Sequence, residues 1–341
     1  EKGRGYLPAQ KNPGKFHGVG AFDISTGETL DKSTQPSYTK VFANTLVDLA
    51  ASDSRICGIT AAMASGTGMD AFHKAYPKRA FDVGIAEEHA VGMASGLAVG
   101  GKKPVCAIYS TFLQRAIDQM IIDCSLPNLD VVFAIDRAGI VGEDGPTHHG
   151  MFDLVYTRMV PNMRVLAPSD EAELVSALHT ALALGGPVAL RYPRGTALGA
   201  PIPDEPETFE LGRAVVRREG DDVAILAFGS MVKRALDAAE ELAQAGIQAR
   251  VVDMRWVKPL DEEAIAAAAA CRLVVTVEEG VIAGGAGEGV LEVLARQGAT
   301  TPAVTLGIPD RFIGQGPVSQ LFADLGLNAE GIAATVREAL R

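Results

Sequence analysis

The first candidates for chemistry are acidic and aromatic side chains placed directly after apolar, strand-like runs. Glu87 follows one such run and opens a helical segment, where the helix dipole favours a charged carboxylate. Tyr109 and Phe112 follow the next run, with Arg115 shortly after them. This pattern suits a carboxylate beside the aromatic wall of a pocket. The plainer interpretations are a carboxylate that only complements the helix dipole and aromatic rings in ordinary packing.

A polar loop over residues 136–150 gives the strongest signal for a functional site. It holds three acids, one arginine, two histidines and four glycines in fifteen residues. Such polar density on a glycine-rich loop after a buried strand is typical of function, a solvated loop being the alternative. A metal site would have to use Glu143, Asp144, His148 and His149. We predict no metal there, because no second ligand cluster occurs at a usable spacing.

Two arginines, Arg191 and Arg194, end the last apolar strand of the first half. Guanidinium groups bind phosphate and carboxylate bidentately, so this pair suits an anionic ligand, with an interdomain salt bridge as the alternative. The whole chain carries 31 basic and 42 acidic residues, a formal net charge of −11. That balance argues against a general grip on nucleic acid or anionic membrane. An anionic substrate would have to be held by local arginines.

The elements that position these residues alternate between strands and helices. Strands without polar alternation, separated by helices of about ten or more residues, indicate parallel sheets covered on both faces. We therefore predict an α/β protein with two domains, each a mostly parallel sheet covered by helices. The predicted divisions are an extended lead-in or linker over 1–35, a first domain over 36–196, a linker over 197–214 and a second domain over 215–341. Ligands of such sheets bind beyond the carboxyl ends of the strands, where the candidate residues lie.

Composition limits the class of protein further. Hydrophobic residues make up 48% of the 341 residues, which is enough for sizeable cores and excludes disorder. No stretch has the pattern of a membrane span, and the first residues do not form a signal peptide. The four scattered cysteines are interpreted as reduced core residues, which favours a cytoplasmic protein: Cys57, Cys106, Cys124 and Cys271.

At these residues the sequence closely resembles the 1-deoxy-D-xylulose-5-phosphate synthase family. The resemblance covers essentially all of the chain, and its most specific parts are AIYSTFLQRA and DRAGIVGEDGPTHHG. Other matching segments are FDVGIAEEHAVGMASGLAVGG, LRYPRG, VVDMRWVKPLD and VTVEEGVIAGGAGEGV. It implies a pyrimidine-binding domain followed by a transketolase C-terminal domain. The implied reaction condenses pyruvate with D-glyceraldehyde 3-phosphate and releases CO₂, giving a precursor of isoprenoids, thiamin and pyridoxal phosphate.

The resemblance also implies roles for single residues. Glu87 matches the glutamate that hydrogen-bonds N1′ of the aminopyrimidine of thiamin diphosphate, and Phe112 matches the aromatic residue that stacks on that ring, with Ile85 in the same wall. Four polar residues match the lining of the substrate channel: Tyr109, Arg115, Asp144 and His148. Arg137 and Arg194 match the pair that grips the phosphate of the acceptor substrate.

Two positions depart from the family pattern. Glu88 stands where the family often has glutamine, and His149 stands where the family has the glutamine of THQG. No role is carried over to either residue, and His149 is interpreted as a solvated loop residue.

Members of the family bind the diphosphate of the cofactor and Mg²⁺ through a GDG motif, which this sequence lacks. We therefore expect the metal ligands on an N-terminal diphosphate-binding half, as a domain of the same gene or as a separate chain. We also expect this chain to be inactive without that half and to form a homodimer.

Two rival interpretations remain. The beta subunit of a 2-oxo-acid dehydrogenase shares the two domains, but those chains lack the DRAGIVG loop and the RYPRG arginines. A non-catalytic assembly subunit of the same fold is disfavoured, because a retired site has no reason to keep Glu87, Phe112, Arg137 and Arg194 together.

Overall fold

The computed structural model describes residues 3–16, 19–30 and 35–341, and the chain divides into two compact units, 1–36 and 37–341. The first unit holds a short helix, α1 (Leu7–Lys11). Beside it, Tyr6, Phe16 and Phe22 form an aromatic cluster with ring centroids 5.3 to 5.8 Å apart. The segment predicted as an extended lead-in over 1–35 is thus locally folded where it is described, because three rings close in sequence bury one another.

The second unit contains two sheets. The strands are β1 (Ile56–Thr60), β2 (Ala80–Asp82), β3 (Lys103–Tyr109), β4 (Val132–Asp136), β5 (Arg164–Leu166), β6 (Val188–Arg191), β7 (Val215–Arg218), β8 (Val223–Ala227), β9 (Ala249–Asp253), β10 (Trp256–Lys258), β11 (Leu273–Val281) and β12 (Ala303–Ile308). The first sheet has the order β10-β5-β6-β4-β3-β1-β2 and the second β12-β11-β8-β9-β7. Neighbouring strands pair in parallel except at β10 and β7, which are antiparallel edge strands.

Helices cover both sheets. They are α2 (Tyr38–Ser52), α3 (Met69–Ala75), α4 (Glu87–Val99), α5 (Ser110–Leu113), α6 (Ile117–Gln119), α7 (Asp153–Met159), α8 (Glu171–Leu184), α9 (Met231–Gln244), α10 (Glu262–Ala268), α11 (Ala286–Arg296), α12 (Val318–Asp324) and α13 (Ala329–Ala339). Of the helices in the described ranges, none combines the length and apolarity needed to cross a membrane.

The central strands are buried on both faces, as the sequence predicts. In β3, Val105 and Ala107 pack in a core layer with α2 and α8, whereas Cys106 and Ile108 pack in the opposite layer with α4. This follows from the two-residue period of a strand, which sends alternate side chains to opposite faces. The prediction of mostly parallel, doubly covered sheets is confirmed.

The segment after β3 is helical but not continuous. It is divided into α5, a 3₁₀ turn over Gln114–Ala116, α6 and a π-helical turn over Met120–Ser125. The break comes at Ala116, whose φ of −111° and ψ of 18° are not helical. Phe112 lies on α5 and Arg115 on the 3₁₀ turn that follows it, both shortly after the end of β3.

The two sheets are joined by β10. This strand follows the second sheet's β9 along the chain, yet it pairs with β5 of the first sheet through Trp256 and Leu166. Trp256 is fully buried there, and its indole N–H donates to the carbonyl oxygen of Glu210 at 3.0 Å. Three residues carry too little periodicity for this strand to be identified from the sequence.

Glu278 is a buried acid on β11 that caps a helix. Its two carboxylate oxygens accept from the backbone N–H groups of Ala286 at 2.9 Å and Gly287 at 2.8 Å, in the first turn of α11. Burial raises the pKa of Glu278 to about 7, although these two hydrogen bonds act in the opposite direction. The charged form is therefore less favourable in the folded protein than in the unfolded chain.

This pKa gives a pH-dependent stability. Between the ordinary value of 4.5 and the folded value of about 7, the folded chain holds a proton that the unfolded chain has released. The contribution of Glu278 is therefore fully present below pH 4.5 and is lost as pH rises towards 7. In urea unfolding, the stability of the wild type relative to Glu278→Gln should fall across this window and level off above it. A difference that does not vary with pH would contradict the assignment.

Candidate functional site

The predicted site residues lie at the carboxyl edge of the first sheet. Glu87 follows β2, Tyr109 ends β3, Arg137 follows β4 and Arg194 follows β6. Because these strands are parallel neighbours, their carboxyl ends open at one edge of the sheet. Residues far apart in sequence are brought together there.

Glu87, a deeply buried acid, lies shortly after the end of β2. It opens α4, its side chain is 2% exposed, and one carboxylate oxygen, Oε1, accepts from Nη1 of Arg115 at 2.8 Å. The other oxygen, Oε2, is buried and has no hydrogen-bond partner within the described chain. A buried carboxylate oxygen without a donor is costly, so Oε2 is a ready acceptor for a donor that a ligand would bring.

Aromatic rings form the wall next to Glu87. Tyr109 and Phe112 stack with centroids 5.4 Å apart and planes 17° apart, and His148 meets Phe112 edge-on at 5.4 Å. The guanidinium of Arg115 lies 5.5 Å from the centre of the Phe112 ring. Burial raises the pKa of Tyr109, so its hydroxyl stays protonated at neutral pH. Phe112 therefore contacts the Tyr109 ring, the His148 ring and the Arg115 guanidinium.

Arg137 is held tightly in a strained backbone conformation. Its φ is +58°, an uncommon value for a residue other than glycine. Its guanidinium pairs with Asp136 at 2.8 Å, donates to Thr39 and to the carbonyl of Gly66, and lies 4.1 Å from the centre of the Tyr109 ring. These contacts together determine the side-chain position and offset the backbone strain.

The sequence does not indicate that Thr39, Gly66 and Asp136 are partners of Arg137. Asp136 is fully buried, and burial raises its pKa, while Arg137 and a hydrogen bond from Thr39 at 2.8 Å lower it. Gly66 approaches so closely that a Cβ there would lie 2.0 Å from the Tyr109 hydroxyl. Thr39 and Asp136 are 97 residues apart, and no local pattern could have linked them.

Arg194, just after β6, and Asp144, in the loop 136–150, form an ion pair. Nη1 of Arg194 contacts Oδ2 of Asp144 at 2.8 Å and donates to the carbonyl of Val141 at 3.2 Å. About a third of the Arg194 side chain is exposed. Two residues predicted separately as a phosphate grip and a channel residue therefore contact each other.

The remaining candidate residues take no part in the contacts described above. Ile85 precedes the helix that carries Glu87, and it is 81% exposed, so its role in the pocket wall stays a prediction. Glu88 is exposed. Arg191 is committed elsewhere, since it pairs with Asp153 at 2.7 Å in the interior. The interpretation of His149 as a solvated residue is wrong, because the side chain is buried against the segment near Gly314.

The loop 136–150 is fastened from both sheets. Its ends pair through reciprocal backbone hydrogen bonds between Gly139 and Gly150 at 2.7 and 2.8 Å. Glu279, at the end of the second sheet's β11, accepts from the backbone N–H of Ile140 at 2.7 Å. Gly139 has φ +81°, and a Cβ there would lie 2.1 Å from Glu279. Glycine is therefore required by both space and conformation.

Metal ligation is not indicated by this geometry. Within the described ranges, no group of three or more histidine, cysteine or acidic side chains is arranged to hold a metal ion. The loop residues considered from the sequence make other contacts, such as the hydrogen bond between Thr147 and Nδ1 of His148 at 2.9 Å.

Comparison with known proteins identifies related domains. Residues 34–198 match the family model "Transketolase, pyrimidine binding domain", and residues 212–332 match "Transketolase, C-terminal domain". The chain is similar to 1-deoxy-D-xylulose-5-phosphate synthase 1 of Geobacter sulfurreducens, with 54% identity over 98% of this chain and 53% of the relative. A synthase of Syntrophotalea carbinolica is 53% identical over the same shares. The chain thus spans about half the length of the curated relatives it matches.

A solved structure has the same architecture. It is described as a split gene transketolase, an inactive beta4 tetramer. The TM-score is 0.79 and the sequence identity 35%, over 90% of this chain and 98% of that chain. At this coverage, the similarity extends through both sheets.

Proposed function

This chain belongs to the transketolase family through its pyrimidine-binding and C-terminal domains, and on that premise we propose that it is the C-terminal half of a 1-deoxy-D-xylulose-5-phosphate synthase. The proposed reaction joins pyruvate to D-glyceraldehyde 3-phosphate with loss of CO₂, as part of isoprenoid, thiamin and pyridoxal phosphate precursor synthesis. Identity above 50% to several synthases over nearly the whole chain supports this activity over that of a 2-oxo-acid dehydrogenase subunit.

The observation that carries the proposal is the free carboxylate oxygen of Glu87. Family membership implies thiamin diphosphate, which when bound supplies a carbon nucleophile that attacks the carbonyl group of pyruvate. Its aminopyrimidine carries a ring nitrogen that can be protonated. Oε2 of Glu87 is buried and lacks a donor, which fits an acceptor for that N–H. Phe112 would stack on the ring, with Ile85 beside it.

The remaining residues bind and orient substrate. Arg115 holds Glu87 by its other oxygen, and half of the Arg115 side chain remains exposed. Tyr109 and His148, which both contact the Phe112 ring, would offer a hydroxyl and an imidazole to substrate oxygens. Excluding water from this wall would strengthen each of these hydrogen bonds.

Arg137 and Arg194 supply positive charge for the phosphate of the acceptor. The two arginines differ in how firmly other residues of the chain hold them. Arg137 is fixed by Asp136, Thr39 and Gly66, so it contributes mainly a stationary charge beside Tyr109. Arg194 is more exposed and pairs with Asp144, whose carboxylate a substrate phosphate would displace.

Arg194→Gln should therefore weaken the phosphorylated substrate selectively. Loss of a charge-assisted contact predicts an increase in KM for D-glyceraldehyde 3-phosphate of about tenfold to a hundredfold. Arg194→Lys keeps the charge but cannot make the bidentate contact of a guanidinium, so its KM should lie between those of the wild type and Arg194→Gln. The measurement is the KM of each substrate for the reconstituted enzyme, with Arg213→Gln on the exposed linker as the control. An equal loss with unphosphorylated glyceraldehyde would contradict the role.

The finer assignments also belong to this proposal. We place the pyrimidine-binding domain at 36–196 and the C-terminal domain at 215–341, joined by a linker over 197–214. Mg²⁺ and the cofactor's diphosphate would be held by a diphosphate-binding half, and the enzyme would be a cytoplasmic homodimer. The curated relatives, about twice as long as this chain, support a partner half.

Titration calorimetry tests the function as a whole. Thiamin diphosphate with Mg²⁺ is titrated into this chain alone and into the chain mixed with a diphosphate-binding half, and turnover of pyruvate and D-glyceraldehyde 3-phosphate is followed in parallel. Binding and turnover only in the mixture are the expected result. Turnover by the chain alone would overturn the proposed division of the site, and no turnover in a mixture that binds cofactor would overturn the proposed reaction.

A further inference from the structure

His149 makes two hydrogen bonds in the interior that no assigned role explains. Its side chain is 1% exposed. Nδ1 lies 3.1 Å from the backbone nitrogen of Val141, and Nε2 lies 3.1 Å from the carbonyl oxygen of Gly314. The ring therefore bridges the loop 136–150 and the segment that leads into α12 of the second domain.

These two partners determine the tautomer of the ring. The backbone N–H of Val141 can only donate, so Nδ1 must be an unprotonated acceptor. The carbonyl oxygen of Gly314 can only accept, so Nε2 must carry the proton. The neutral Nε2–H form satisfies both, whereas the Nδ1–H form and the imidazolium would each direct a proton at the N–H of Val141.

The bridge ends at residues of the proposed phosphate site. The carbonyl of Val141 accepts from Arg194 at 3.2 Å, and Arg194 holds Asp144 at 2.8 Å. The next residue, Gly142, accepts from the backbone N–H of Gly316 at 3.3 Å, so the same segment of the second domain meets the loop twice. Movement of Val141 would displace an acceptor of Arg194.

We propose that His149, as its neutral Nε2–H tautomer, is a positioning residue that fastens the loop 136–150 to the second domain and thereby holds Arg194 and Asp144 in place. The fastening itself depends only on the geometry of the bridge. Its consequence for substrate rests on the proposed function.

The tautomer is tested first, by ¹⁵N NMR of the imidazole rings in the intact chain near neutral pH. The expected spectrum of His149 shows a protonated Nε2 and an unprotonated Nδ1. A protonated Nδ1 would overturn the proposal without any variant having to fold.

Amide exchange then tests the fastening. His149→Leu removes the acceptor of the Val141 N–H and should speed its exchange by about tenfold or more. His149→Gln offers one acceptor and one donor at similar reach, and should restore protection to near the wild-type value. His73→Gln, at an exposed histidine of α3, is the matched control. Unchanged exchange in His149→Leu, or no rescue by glutamine, would overturn the fastening.

The positioning role is tested in the reconstituted enzyme. His149→Leu should raise the KM for D-glyceraldehyde 3-phosphate more than that for pyruvate, and His149→Gln should return it towards the wild-type value. A normal KM in a His149→Leu variant whose Val141 amide exchanges fast would overturn the positioning role. If the wild-type mixture has no turnover, the proposed function fails, while the spectrum and the exchange rates still decide the fastening.

Discussion

Glu87→Gln is expected to lower the turnover of the reconstituted enzyme by about a hundredfold to ten-thousandfold, the range typical of a positioned proton-transfer group. Glutamine keeps the shape of the side chain and can still contact Arg115. It cannot carry the negative charge that stabilises a protonated ring nitrogen at the position of Oε2. The loss should therefore appear in kcat, measured with both substrates saturating, while the fold is retained.

The adjacent acid provides a matched control. Glu88 lies one residue further along α4 and is exposed, so Glu88→Gln makes the same chemical change in the same helix turn. Its kcat should stay close to that of the wild type. Similar losses in both variants would show that negative charge at the start of α4, rather than the free oxygen of Glu87, is what the site requires.

Asp153→Asn is expected to cause the largest loss of stability, about 3–5 kcal/mol in the free energy of unfolding. Asp153 and Arg191 pair at 2.7 Å, with their side chains 0% and 4% exposed. Arg191 also donates to the backbone carbonyl of Glu279 at 3.3 Å. Neutralising Asp153 leaves a buried guanidinium without its counter-charge, which costs more than the loss of a hydrogen bond between neutral groups. Urea unfolding followed by circular dichroism measures the change.

Two further variants separate the buried charge from other causes. Asp237→Asn breaks an exposed pair with Lys233 and should cost about 0–1 kcal/mol. Replacing both members of the buried pair, by Arg191→Met with Asp153→Leu, should recover much of the stability lost in Asp153→Asn. A double variant less stable than Asp153→Asn would indicate that packing and hydrogen bonds, rather than the unpaired charge, dominate at this position.

The sequence predicted where the site lies better than how its side chains are engaged. Tyr109, Arg137 and Arg194 each follow an apolar strand run, and parallel pairing alone is enough to bring such positions to one edge. Their partners depend on tertiary contacts. The ion pair of Arg194 with Asp144 spans 50 residues, and the contact of Arg137 with Gly66 spans 71. No local pattern records contacts of that kind.

The sequence also does not show which individual polar residues are buried. Arg191 and Arg194 are three residues apart on one strand end, yet Arg191 is buried with Asp153 and Arg194 faces the site. His148 and His149 divide in the same way, one beside Phe112 and one in the interior. Adjacent residues on a turning backbone point in different directions, and the sequence does not show where the second domain covers the loop.

The strand β10 has a consequence for how the chain can be divided. Because it supplies the edge of the first sheet from beyond the linker, a protease cut within 197–214 would leave two fragments held together by backbone hydrogen bonds and by the buried indole of Trp256. A fragment that ended at the linker would instead leave the open edge of β5 free to pair with other chains, which favours aggregation. A fragment that keeps the first sheet complete would therefore have to include β10, which lies beyond the linker between the two sheets.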